Sequence, residues 1–145
     1  MPTTILIPID LSELSRAAVR YADEFAKALG EPHLILAHVY SLPSELELYA
    51  VQQGKTLLEA LSEQAAKELE SMITSLQDAG TSCEYVSRAG TPAETICELA
   101  AERQCDYIVM TTHGRTGLAH AALGSVAERT LRLAPCPVIT LKAQS

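Results

Sequence analysis

The chain has 145 residues, enough for one ordinary domain that buries about 70% of its unfolded surface, and 48% apolar against 20% charged residues excludes a disordered or fibrous chain. A formal charge of −7, from 18 acidic and 11 basic side chains, excludes broad electrostatic contact with nucleic acid or an anionic membrane, both of which need clustered Lys and Arg. Any bound phosphate must then be held by local backbone amides with at most one cation nearby.

Thr4 to Ile9 (TILIPI) is a continuous apolar, β-branched run of the kind that forms a strand covered on both faces, and it stops at Asp10. Ser12 is placed to cap a helix with Leu14, Ala17, Ala18, Tyr21, Ala22, Phe25, Ala26 and Leu29 on its apolar face, closed by Gly30. Leu34 to Val39 is a second buried strand, which completes a βαβ unit. From Tyr40 to about Gln53 the periodicity is mixed, as in a loop or broken helix. Thr56 to Ala79 carries Leu57, Leu58, Leu61, Ala65, Leu69, Met72, Ile73 and Leu76 on one helical face and ends at Gly80.

Ser82 to Arg88 alternates apolar and polar residues, as an edge strand does. Thr91-Pro92-Ala93-Glu94 combines a Thr cap, Pro at the first helical position and a Glu three residues after the cap, so a helix runs from there to about Gln104. Tyr107 to Met110 forms a strand, residues 111–123 a glycine-punctuated loop, and Ser125 with Glu128 a second capping box for a helix that stops by Pro135. Val138 to Leu141 is the last strand. With neither internal repeat nor linker, residues 1–145 are expected to form a single domain.

Cys83, Cys97, Cys105 and Cys136 contain no C-x-x-C pair, so buried reduced thiols are expected rather than a zinc or redox motif. Met1-Pro2-Thr3-Thr4 leads directly into a strand without a signal-peptide pattern, and no apolar run approaches the ~20 residues of a membrane span. The expected location is therefore the cytoplasm.

Strands alternating with helical segments, each connection long enough for a crossover, predict an α/β fold with a parallel sheet and helices on both faces. Ligands in such open sheets bind beyond the carboxyl ends of the strands, where the strand order reverses. Two loops meet there. Pro8-Ile9-Asp10-Leu11-Ser12 has no glycine and a carboxylate, which repels phosphate but suits an amino or hydroxyl donor on a ligand; the alternative is that Asp10 only caps the first helix. The loop after the fourth strand has Gly114, Gly117 and Gly124, the cation Arg115, hydroxyls on Thr112, Thr116 and Ser125, and a helix start at Val126, which together suit an anion.

Thr112-His113-Gly114, nine residues, then Gly124-Ser125 and VAERTLRLAPCPVI resembles the C-terminal signature of the universal stress protein family. Pro8 to Ser12, His38-Val39 and Gly90-Thr91-Pro92 match the same family in order across essentially the whole chain. The resemblance implies an open Rossmann-like, adenine nucleotide alpha hydrolase-like sheet in the order 3-2-1-4-5, and a homodimer made by antiparallel pairing of Val138 to Leu141 across a two-fold axis. It also implies a binding site for ATP, with or without Mg2+, made by Pro8, Asp10, Val39, Met110, Thr112, His113, Gly114, Arg115, Gly124, Ser125 and Val126. Asp10 and Val39 are assigned to the adenosine end, and Gly114, Arg115 and Gly124 to Val126 to the phosphates.

The pattern departs at its first glycine, which is Thr111 here, a β-branched residue that is strained at a left-handed backbone angle and adds bulk beside a ligand. His113 is either a loop organiser or a general base near the phosphates, and His38 is expected in the core. No Ser/His/Asp order or carboxylate pair indicates dedicated catalysis, and no metal ligand set is expected. The implied function is a dimeric, ATP-binding regulatory module of the stress response with an unidentified protein partner. The alternatives are a dimeric interaction protein that binds no nucleotide, and a slow ATPase.

Overall fold

The computed structural model describes residues 1–10, 13–40, 56–112 and 123–142, with the backbone alone for 13 and 56–66. Among them the strands β1 (Thr3–Pro8), β2 (Pro32–Tyr40), β3 (Ser82–Ala89), β4 (Tyr107–Thr111) and β5 (Val138–Leu141) alternate with the helices α1 (Glu13–Leu29), α2 (Thr56–Asp78), α3 (Pro92–Glu102) and α4 (Ser125–Leu133). All pairings are parallel and the order is β3-β2-β1-β4-β5. The expected sheet is the observed one, with β3 at one edge and β5 at the other. The Ser12 cap, the 40–53 segment beyond Tyr40, and Leu57, Leu58, Leu61 and Ala65 as side chains lie outside the described residues.

Strand alternation divides the core into two layers. Ile5, Ile7, Ile9, Leu34, Leu36 and Val109 pack with Ala18, Val19, Ala22 and Ala26 of α1 and Leu69 of α2, joined by Met72, Ile73 and Leu76. On the other face Leu6, Ile35, Ala37, Ile108 and Met110 pack with Ile96, Leu99 and Ala100 of α3 and Ala127 of α4. Helices thus cover both faces, as the unbroken apolar strands require.

The buried stripe of α1 is rotated from the predicted one. Ser15, Ala18, Val19, Ala22 and Ala26 face the sheet, whereas Tyr21 and Leu29 are 39% and 51% exposed. Small residues along this line bring the helix axis close to the strands and leave the larger apolar side chains at its flanks, where Tyr21 stacks on Phe25 and Phe25 meets the Tyr107 ring edge-on at 5.1 Å. Asp23 on the same helix accepts from Thr81 Oγ1 at 2.6 Å, which ties α1 to the start of β3.

Neither predicted capping box forms. Thr91 is the N-cap of α3 with Pro92 behind it, but its side chain makes no capping bond, and Glu94 pairs with Arg129 of α4 instead. Gly124, not Ser125, is the N-cap of α4, and Glu128 pairs with Arg132 one turn on. In both places the carboxylate takes an arginine as its partner instead of the backbone amide of the cap. His38 is half-buried rather than a core residue, its ring stacked on Tyr40 with centroids 5.9 Å apart. His33 shares a 2.8 Å hydrogen bond with Ser82 across β2 and β3.

Between β3 and α3 the chain turns at Gly90, whose N–H donates to Tyr40 O at 3.0 Å. A Cβ added there would fall inside the contact shell of Thr95 Oγ1, on a residue only 5% exposed. Gly90→Ala is therefore expected to destabilise the fold by about 1–3 kcal/mol, read as a lower urea midpoint with an unchanged m-value.

Candidate functional site

The order of strands reverses between β1 and β4, and their contact is short. Six register pairs join β1 to β2, from Thr3↔Pro32 to Pro8↔Ala37, but only Ile5↔Tyr107 and Leu6↔Ile108 join β1 to β4. Two mutual hydrogen bonds hold the amino end of that junction: Thr4 N–H donates to Asp106 Oδ2 and Asp106 N–H to Thr4 O, each at 2.8 Å. Among the described residues no further register pair joins β1 to β4 toward the carboxyl end. A parallel sheet of this order has its ligand crevice there, between the ends of the two strands.

Three of the predicted site residues, Pro8, Val39 and Met110, come toward this edge on one face. Val39 and Met110 belong to the layer shared with α3 and α4, together with Leu123 and Ala127. Pro8 follows Leu6 by two positions and so projects on that face too. Asp10, half-buried, follows Ile9, whose N–H donates to Ala37 O at 2.7 Å and keeps the chain beside β2.

Thr112 anchors the helix that approaches the crevice. Its N–H donates to Leu141 O at 2.9 Å, and its carbonyl accepts the Gly124 N–H at 2.8 Å, so the chain leaves β4 and returns to it at one point. The first intrahelical bond of α4 runs from Glu128 N–H to Gly124 O, which sets the amides of Ser125, Val126 and Ala127 ahead of the first intrahelical donor, at the sheet's carboxyl edge. Because Ser125 is the first helical residue rather than the cap, its hydroxyl is not committed to a capping box. Val126 is 37% exposed beside it. The predicted residues His113, Gly114 and Arg115, with Thr116 and Gly117, lie outside the described residues.

Thr111 does not carry the strain expected of it. It is the last residue of β4, paired in register with Leu141, and the single non-glycine positive φ among the described residues is that of Gln104, at 51°. Val109 and Leu141 pack in the layer with α1, so alternation puts the Thr111 side chain on that face, opposite Val39 and Met110. A β-branched residue is at home in a strand, and its bulk is directed away from the face that the other site residues share.

Leu123, which packs in the layer of Val39 and Met110, and the Glu94–Arg129 pair between α3 and α4 were not expected from the sequence. An apolar residue directly ahead of Gly124-Ser125 is a signal for Leu123, whereas Glu94 and Arg129 are 35 positions apart and only the packing of α3 on α4 joins them. The hydrogen bond from Arg129 holds the Glu94 carboxyl below its ordinary range. All four cysteines are free, Cys83, Cys97 and Cys105 buried and Cys136 half-buried. Burial is the main cause that raises each thiol, and Cys105 reaches about 11, with Cys136 and Asp106 adding to the effect.

The model of the universal stress protein family matches residues 1–142. The chain belongs to that family. Universal stress protein MJ0531 of Methanocaldococcus jannaschii is 33% identical over 138 residues, covering 95% of this chain and 81% of that protein. Universal stress protein MJ0577 of the same organism is 28% identical over 155 aligned residues. The solved structure of MJ0577, described as a structure-based assignment of biochemical function, superposes with a TM-score of 0.87 at 31% identity, covering 100% of this chain and 99% of that one. Two more distant structures share the fold: an Arabidopsis thaliana family member with AMP bound, at a TM-score of 0.66 and 21% identity over 99% of this chain and 94% of that one, and a universal stress protein in complex with cAMP, at 0.62 and 22% over 99% and 98%.

Cys105 also sets an alkaline limit. Its thiol stays protonated in the folded protein up to about 11, whereas the unfolded thiol, from the reference value of 9.0, ionises first, so the unfolded state binds fewer protons as pH rises. This contribution is complete below pH 9.0 and is lost as pH climbs toward about 11. Urea midpoints measured across that window should fall with pH, and Cys105→Ala should flatten the fall.

Proposed function

We propose that this universal stress protein is a regulatory module that binds an adenine nucleotide, ATP with or without Mg2+, between the ends of β1 and β4. The observation that carries the reading is the single face shared by Pro8, Val39 and Met110 with the start of α4, which the bond from Gly124 N–H to Thr112 O seats at the same edge. A flat base suits the apolar Val39–Met110 wall, a ribose hydroxyl suits the Asp10 carboxylate, and phosphate suits the amides at Ser125 and Val126. Placement of the Thr111 side chain on the opposite face supports ATP despite the missing glycine, and the relatives holding AMP and cAMP support an adenine nucleotide. Among the described residues no group of three His, Cys, Asp or Glu is placed to hold a metal, so a magnesium ion fits here as a companion of the phosphates. The proposed role is binding rather than turnover, in the cytoplasm.

Mass spectrometry of small molecules released on denaturing the purified protein is expected to find an adenine nucleotide. Added ATP at a hundredfold its Kd should raise stability by about 2.7 kcal/mol, several degrees in Tm, and Gly124→Asp, which sets a carboxylate against the phosphates, should abolish that rise. No nucleotide and no shift at millimolar ATP would refute the reading in favour of an interaction protein without a nucleotide.

We further propose a homodimer through β5. This edge strand presents Val138, Ile139, Thr140 and Leu141, all half-buried, and nearby Leu131 and Leu133 are 44% and 47% exposed. Ile108 N–H donates to Pro137 O and Thr112 N–H to Leu141 O, so odd-numbered residues of β5 serve β4 and the N–H and C=O of Val138 and Thr140 point outward, ready for a second copy. Thr140→Pro removes an outward N–H and leaves the β4 ladder whole. Sedimentation should find it monomeric and still folded.

A further inference from the structure

The ladder between β1 and β4 ends before Pro8, and the directions of the hydrogen bonds explain why. Ile9 N–H donates to Ala37 O on β2, while Thr4 N–H donates to Asp106 on the β4 side, so the odd residues of β1 serve β2 and the even residues face β4. Ladder pairing to β4 reaches Leu6↔Ile108. The rung after it needs the N–H of residue 8 to reach the carbonyl of Val109, and proline has no N–H. On its other side β1 continues undisturbed, with Pro8↔Ala37 in register and the Ile9 bond beyond it. Only a donor facing β4 is missing, at the last position before the strand ends.

We propose that Pro8 is a positioning residue that keeps the crevice open. Its missing donor stops β1 and β4 from zipping together and keeps Asp10 apart from the end of β4. A contact between the proline ring and a base is a separate role that any residue of similar bulk can fill; ending the ladder is a role for proline alone. A residue with an N–H at position 8 would extend the ladder, draw Asp10 toward β4 and narrow the space in which base and ribose lie. This inference rests on the nucleotide reading above, and the experiment separates the two.

The test uses the full chain as Pro8→Ala and Pro8→Val, the second keeping bulk close to that of proline. Hydrogen exchange and the scalar coupling across hydrogen bonds, both read by NMR, should show the new amide at position 8 protected and bonded to the Val109 carbonyl. ATP titration should show both variants binding about tenfold more weakly than the parent, the scale set by one net hydrogen bond that the ligand must now displace. An exposed, freely exchanging amide at position 8 overturns the proposal, as does a Pro8→Val variant with the parent's affinity, which would assign Pro8 to contact alone. Failure of the parent chain itself to bind ATP strikes the nucleotide reading, while the NMR result still decides whether proline ends the ladder.

Discussion

The junction between β1 and β4 is the constraint on which the remaining structure depends. It is the place where strand order reverses, and two register pairs with the mutual Thr4–Asp106 bonds hold the two halves of the sheet together there. β2 and β3 lie on one side, with β4 and β5 on the other. A sheet built outward from one central strand must leave a gap at the carboxyl end of that junction, because the connections from the two strands leave toward opposite faces. α1 follows β1 on one face, and α4 follows β4 on the other. The gap proposed as the binding site is thus a consequence of topology before any ligand-binding residue is chosen.

Around that gap, chemistry is divided by the pleat. Side chains that face α3 and α4 include Val39 and Met110 of the proposed base wall, while those facing α1 fill the main core. Thr111 shows how much this division matters. In a glycine pattern its β-branch looks like an obstruction, yet its place in a strand with Leu141 as partner turns the same branch toward the core layer of α1. The anchoring of α4 is equally economical: one residue, Thr112, bonds β5 through its N–H and receives the amide of the helix N-cap on its carbonyl.

With a formal charge of −7, the chain offers the proposed ligand position rather than a field of positive charge. Several arginines on the α3 and α4 side are engaged with carboxylates, Arg88 with Glu102 at 3.0 Å, Arg103 with Glu84, and Arg129 with Glu94. These exposed pairs contribute little to stability, but they neutralise cations that could otherwise attract unrelated polyanions. The Arg88 and Arg103 pairs also place charge along β3, the edge at the far end of the sheet from β5.

By itself the sequence determined the strands, the order of elements, the parallel sheet and the two loops that meet at its carboxyl edge, since apolar runs, turn residues and connection lengths are local quantities. The family resemblance also implied Pro8, Asp10, Val39, Met110, Thr112 and Gly124 to Val126 as candidates, and these described residues lie toward that edge. Tertiary structure alone decided which face each side chain occupies and which partner each charge takes. The α1 stripe rotated toward Ser15 and Val19 because close helix-to-sheet packing favours small side chains, a preference that periodicity does not carry. Glu94 and Glu128 left their predicted caps for arginines, one of them 35 residues away. The direction of Thr111 and the missing rung at Pro8 follow from register, which exists only when two strands lie side by side.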